Sequence, residues 1–140
     1  MRFHRYLAWL LLPLLLLGCG KSGPKVAPVS GRVTLDKKPL ANATVIFTST
    51  EPVTNNSPNP ESSGQTDEEG RYSLKTTQDR RDGAVVGTYK VRISLIERGA
   101  TLVNRVPSQY NKATTLTFTV PAEGSTEANF DLSSSPLAAP

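Results

Sequence analysis

The segment Thr88–Glu97 constrains the fold most. Tyr89, Val91, Ile93 and Leu95 alternate with Lys90, Arg92 and Ser94. A period of two places successive side chains on opposite faces of an extended chain, so this stretch is a half-buried β-strand with one apolar face. An α-helix would scatter the same residues around its axis. Whatever surrounds this strand must supply a sheet and a second layer to cover it.

The same period recurs along the chain. Val29, Gly31, Val33 and Leu35 share a face, with Ser30, Arg32 and Thr34 opposite. After a polar turn at Asp36-Lys37-Lys38-Pro39, Ala43, Val45 and Phe47 alternate with Thr44, Ile46 and Thr48. Ile46 makes this second strand apolar on both faces, which predicts a central position. Glu51–Ser63, with Pro52, Pro58 and Pro60, has no periodicity and reads as a long loop. Gln65-Thr66-Asp67 pairs briefly, Glu68-Glu69-Gly70 turns, and Arg71–Thr76 is a strand with Tyr72 and Leu74 inward. Thr77–Gly87 is a second loop with Asp79-Arg80-Arg81-Asp82-Gly83 at its tip. Val106–Asn111 is an irregular crossing. Leu116, Phe118 and Val120, then Ala128, Phe130 and Leu132, mark the inward faces of two last strands. No helical period follows the first nineteen residues. Strands of about 5–8 residues separated by turn signals predict an all-β sandwich, with Tyr72, Tyr89, Phe47, Phe118 and Phe130 as its aromatic core.

The first nineteen residues obey another plan. Arg2, His4 and Arg5 precede an almost wholly apolar run from Tyr6 to Leu17, closed by Gly18 and Cys19. A positive start, an apolar run of about 7–15 residues and a small residue before a cut form a secretory signal. The run falls short of the roughly 20 apolar residues a membrane-spanning helix needs. Leu16-Leu17-Gly18-Cys19 resembles the lipobox of bacterial lipoproteins. That resemblance implies cleavage by signal peptidase II between Gly18 and Cys19 and lipid (diacylglycerol, with palmitate-like acyl chains) on Cys19. Two or more acyl chains anchor a protein stably where one does not. The alternative is an ordinary secretory signal with a stray cysteine. Removing Arg2 and Arg5 from the 16 Lys+Arg leaves 14 against 12 Asp+Glu, a net charge of about +2. These charges are scattered, so no nucleic-acid partner is expected. Cys19 is the only cysteine, and its acylation excludes a disulfide.

Three motifs in order resemble those of carboxypeptidase regulatory-like domains. Val29-Ser30-Gly31-Arg32-Val33-Thr34-Leu35 with Lys38-Pro39-Leu40-Ala41-Asn42-Ala43-Thr44-Val45 resembles their opening hairpin. Thr66-Asp67-Glu68-Glu69-Gly70-Arg71-Tyr72 and Gly87-Thr88-Tyr89-Lys90-Val91 are similar to their later signatures. More narrowly, Pro107–Tyr110, Thr114–Val120 and Phe130–Leu132 resemble the continuation found in small planctomycete lipoproteins of this type. The resemblance implies a prealbumin-like (transthyretin-like), seven-stranded β-sandwich with Greek-key connections. It divides the chain into a signal peptide over 1–18, a lipidated cysteine and tether over 19–28, the sandwich over 29–132 and a tail over 133–140. Lys38 and Asn42 depart from the family by replacing glycines of the first hairpin, and Val85-Val86 stand where it often has prolines.

Candidate sites are few. The only histidine is His4, in the leader, so Ser-His-Asp and Cys-His catalysis and His/Cys zinc sites have no residues after Cys19. Hydroxyisourate hydrolases share the implied fold, but their terminal motif is absent from Ser133–Pro140. No catalytic residue and no cofactor are assigned. Asp67, Glu68 and Glu69 are either a calcium site or a solvated turn capped by Asp67. Arg80 and Arg81 are either ligand or partner contacts or a solvated loop tip. Tyr110 either stacks on a sugar or plugs one end of the sandwich. The resulting expectation is a non-enzymatic, lipid-anchored module on the periplasmic or outer-surface side of the cell envelope. Its partners are the membrane, through Cys19, and envelope proteins. The alternative is a glycan- or peptide-binding module built around Tyr110.

Overall fold

The computed structural model describes residues 23–51, 60–99 and 102–135. The leader with Gly18 and Cys19, the loop residues 52–59 and the end of the tail lie outside the described residues. In chain order the strands are β1 (Val26–Ala27), β2 (Ser30–Leu35), β3 (Lys38–Pro39), β4 (Thr44–Ser49), β5 (Glu61–Gln65), β6 (Arg71–Ser73) and β7 (Lys75–Thr76). They continue as β8 (Ala84–Val85), β9 (Gly87–Ser94), β10 (Ile96–Arg98), β11 (Leu102–Asn104), β12 (Thr117–Val120) and β13 (Phe130–Leu132). One 3-10 turn, Ser108–Tyr110, interrupts them. Among the described residues no helix is long and apolar enough to cross a membrane. Apart from that turn the described residues are all-β, as the alternation predicts.

Five strands form an antiparallel sheet in the order β12-β9-β4-β5-β7. β4 is its middle strand, the central position predicted by Ile46. In the other large sheet β2 pairs in parallel with β13 on one edge. On its other edge β2 pairs with β3 and then β6, where Val33 donates to Gly70 and accepts from Leu40. The run Arg71–Thr76 changes sheet at Leu74: β6 joins β2, and β7 joins β5. Strands that switch sheets make the corners of a sandwich.

The two sheets enclose one core. Val33, Val45, Phe47, Tyr89, Val91, Ile93 and Val120 are fully buried. Phe47 lies at its centre, with ring centroids 5.8 Å from Tyr89, 5.7 Å from Phe118 and 6.2 Å from Phe130. Phe118 is only half-buried, at the margin of the cluster.

Turn chemistry fixes the connections. Asp36 and Lys37 link β2 to β3 with φ of 51° and 66°, the two left-handed residues of a type I′ hairpin. Asp67 Oδ1 accepts from the amides of Glu69 (3.0 Å) and Arg71 (2.8 Å), and Gly70 supplies a φ of 75°. Gly31 marks a close approach: a Cβ there would lie 2.0 Å from the Ala128 carbonyl oxygen.

Three segments differ from the sequence reading. Glu61–Gln65 is strand β5, although Glu51–Ser63 reads as a loop. Its inward residue is Ser62, so alternation carries no apolar signal, and its Gly64 lets the Ser73 carbonyl approach. Val26–Ala27, read as tether, pairs with Ala84–Val85, read as loop, and Ala27 is 1% exposed. Packed structure therefore begins before Val29; two-residue strands are too short to display a period. Finally, the long strand through Glu97 breaks at Leu95, whose amide donates to Asn104 Oδ1 at 3.1 Å. Ile96–Arg98 then leaves the sheet and pairs only with Leu102–Asn104.

Candidate functional site

The inward alternation that builds the core leaves a mostly polar set of residues facing outward from the five-stranded sheet. Threonine suits these positions because a β-branched side chain packs well on a pleated surface. Register then assembles them into rows. Thr117, Lys90, Thr48 and Glu61 lie side by side on β12, β9, β4 and β5. Arg92, Ile46, Ser63 and Lys75 form the adjacent row on β9, β4, β5 and β7.

Two shallow depressions lie on this face. One, of about 520 Å³, is bounded by Thr48, Thr50, Glu61, Lys90 and Arg92. The other, of about 490 Å³, is bounded by Thr44, Gln65, Lys75, Thr77 and Arg80. Within them Lys75 pairs with Asp82 at 2.8 Å, and Thr48 donates to Glu61 at 3.4 Å. Lys90 and Arg92 are exposed and form no ion pair among the described residues.

The predicted site residues are dispersed. Arg80 and Arg81 are adjacent in sequence but separated in role. Arg80 is exposed at the rim of the second depression with a φ of 60°. Arg81 donates to Asp79 at 2.5 Å and to the Pro24 carbonyl at 3.4 Å. The Thr76 hydroxyl donates to Asp79 and is the main cause of that carboxyl lying below its ordinary range. Tyr110 is 6% exposed, and its hydroxyl accepts from the Ser133 amide at 3.1 Å. Its ring belongs to the buried core and leaves a sugar no exposed face to stack on.

Asp67, Glu68 and Glu69 do not converge. Asp67 is held below its ordinary range chiefly by the Arg71 amide, and Arg71 reaches Glu69 at 3.2 Å. No group of three His, Cys, Asp or Glu suited to a metal occurs among the described residues. A third depression, of about 450 Å³, lies beside Arg32, Arg71 and Tyr72. Its cations are engaged: Arg32 donates to the Glu69 carbonyl at 3.0 Å, and Arg71 pairs with Asp67 and Glu69.

The buried polar groups serve the fold. Thr66 donates to the Leu40 carbonyl (2.6 Å) and accepts from the Ala43 amide (2.8 Å). Thr114 donates to the Val91 carbonyl at 2.6 Å, and Asn111 donates to Val106 and Pro107 carbonyls. Tyr72 donates to the Ala128 carbonyl at 2.6 Å, and burial pushes its phenol well above the ordinary value. Such satisfied groups tie the loops to the backbone of the sheets.

Alternation alone puts Lys90 and Arg92 on the polar side of their strand. What sequence reasoning missed is the set of neighbours that register gives them, because Thr48, Thr117 and Ser63 come from distant strands.

No family model and no curated protein matches this chain. Among solved structures it is similar to a 9R-lipoxygenase from Cyanothece PCC8801, at 15% identity and a TM-score of 0.35. The match covers 80% of this chain and 17% of the lipoxygenase. A likeness this slight lends no functional argument.

Proposed function

We propose that this chain is a lipid-anchored module of the cell envelope, non-enzymatic, with a structural or protein-interaction role. In this reading the sandwich is of the prealbumin-like, seven-stranded Greek-key type and hangs from Cys19 by a short tether. The observation that carries the reading is Leu16-Leu17-Gly18-Cys19 behind a charged start and an apolar run. The absence of histidine and thiol after Cys19 supports the non-enzymatic role, as does the commitment of Thr66, Asn111, Thr114 and Tyr72 to backbone carbonyls.

Within this reading the arm β10–β11 supplies the protein contact. Ile96, Val103 and Leu102 are 50%, 48% and 72% exposed on a ribbon that pairs with no other strand among the described residues. Exposed aliphatics gathered on one protruding element mark interaction surfaces.

The test is fractionation of Cys19→Ser beside the natural chain. The natural chain is expected in the membrane pellet and the variant in the soluble fraction. Equal distribution of the two would overturn the anchor. Reproducible turnover of a substrate by the purified protein would overturn the non-enzymatic role.

A further inference from the structure

We propose that the outer face of the five-stranded sheet binds an acidic polysaccharide, with Lys90 and Arg92 pairing to its carboxylate or sulfate groups. This goes beyond the protein-interaction reading and does not depend on the lipid anchor.

The argument begins with charge. All 12 Asp and Glu of the sequence lie among the described residues. Five of them, Asp67, Glu69, Asp79, Asp82 and Glu97, are taken up in ion pairs with Arg71, Arg81, Lys75 and Arg105. Lys90 and Arg92 are not among these partners. They stand two residues apart on β9, so both project from the same face, about 7 Å apart along the strand. Glu61, in Lys90's own row, lines the same depression, but it accepts from Thr48 and forms an ion pair with neither Lys90 nor Arg92. Arg80 adds a third cation at the rim of the neighbouring depression. It holds a left-handed conformation that is costly for a residue with a side chain.

The surroundings select the ligand class. Thr48 and Thr117 flank Lys90, and Ser63 and Gln65 continue the polar surface across β5. Hydroxyl and amide groups both donate and accept, which suits sugar hydroxyls. Ile46 is the one apolar side chain in the two rows, and it is half-buried. A bilayer surface calls for apolar insertion or a cluster of about 4–8 cations. Single-stranded nucleic acid calls for exposed aromatic platforms. Among the described residues this face exposes no aromatic ring, and of its four cations Lys75 is paired with Asp82 while the Glu61 carboxylate offsets another. The face is broad, hydroxyl-rich and modestly cationic, which fits a polymer of sugars bearing spaced negative charges.

The test uses the full chain in a non-ionic polyoxyethylene detergent, passed over immobilised dextran sulfate, polygalacturonate and neutral dextran. Retention is expected on the two acidic polymers and not on neutral dextran, and it should weaken with salt. Lys90→Ala/Arg92→Ala should lose roughly tenfold in affinity or more, while Lys90→Arg/Arg92→Lys should retain binding. Lys37→Ala/Lys38→Ala, which removes the same charge from the β2–β3 hairpin, should stay within about twofold. Thermal unfolding of each variant verifies its fold. The proposal is overturned if the natural chain is not retained, if both alanine pairs lose equally, or if anionic phospholipid vesicles or DNA bind as well. Cys19→Ser should bind as the natural chain does, so failure of the anchor and failure of the glycan site are separable.

Discussion

The ring of Phe47 on β4 meets Phe130 on β13 edge to face, with centroids 6.2 Å apart and planes at 72°. This contact joins the middle of one sheet to the edge of the other. Phe47 is fully buried and also touches Tyr89 and Phe118. Phe47→Ala should therefore cost about 3–5 kcal/mol, because it removes a large apolar side chain and leaves a cavity that two sheets cannot close. Chemical denaturation measures this. A loss below about 1 kcal/mol would mean that the sheets do not meet there.

Gly31 tests the backbone contact between β2 and the segment leading into β13. A Cβ at this position would sit 2.0 Å from the Ala128 carbonyl oxygen, the same oxygen that accepts from Tyr72. Ala128 also donates to the Ser30 carbonyl at 3.1 Å. Gly31→Ala should cost about 1–3 kcal/mol through overpacking, more if the Tyr72 bond is lost. The same denaturation experiment reads it, and a neutral result would contradict the close approach.

The β2–β3 hairpin offers a change in the opposite direction. Lys37 holds a φ of 66° at the second turn position, where glycine is preferred. Lys37→Gly relieves that strain but adds freedom to the unfolded chain, so the net gain should be up to about 1 kcal/mol. Asp36 should be kept, because its carboxylate accepts from the Ser134 amide at 2.9 Å. A rise in Tm supports the turn assignment; a fall contradicts it.

Acid should destabilise the domain. Asp36, Asp67 and Asp79 all lie below their ordinary range, held there first by Ser134, the Arg71 amide and Thr76 respectively. A carboxyl with a lowered folded pKa binds fewer protons folded than unfolded, so stability rises with pH through the interval between the two values. The contribution is complete above the unfolded value of about 3.9 and is lost as pH falls below it. Unfolding free energy should fall as the pH drops below about 4, and Asp67→Asn should flatten that limb. An unchanged acid limb in Asp67→Asn would contradict the role assigned to its charge.

Half-buried strands were the legible part of this fold. Ala43–Phe47, Tyr89–Ile93 and Ala128–Leu132 announce themselves because burial on one face forces apolar residues into alternation. Strand β5 stayed hidden because it contributes Ser62 and Gly64 where apolar residues would signal a core face. The pairing of Val26–Ala27 with Ala84–Val85 is non-local and too short for periodicity. At Tyr110 the sequence left plug and sugar platform open; the Ser133 amide and the buried ring favour the plug. The outer face was half-legible. Alternation sets Lys90 and Arg92 outward, but only register brings Thr117 and Thr48 beside Lys90 and Ile46 beside Arg92.

The envelope address is the central claim, and the intact mass of the protein recovered from membranes tests it most directly. The expected species begins at Cys19 and carries the added mass of a diacylglycerol, with a further acyl chain where the new amino group is modified. An unmodified chain recovered in the soluble fraction, or one whose first residue is not Cys19, would contradict the claim.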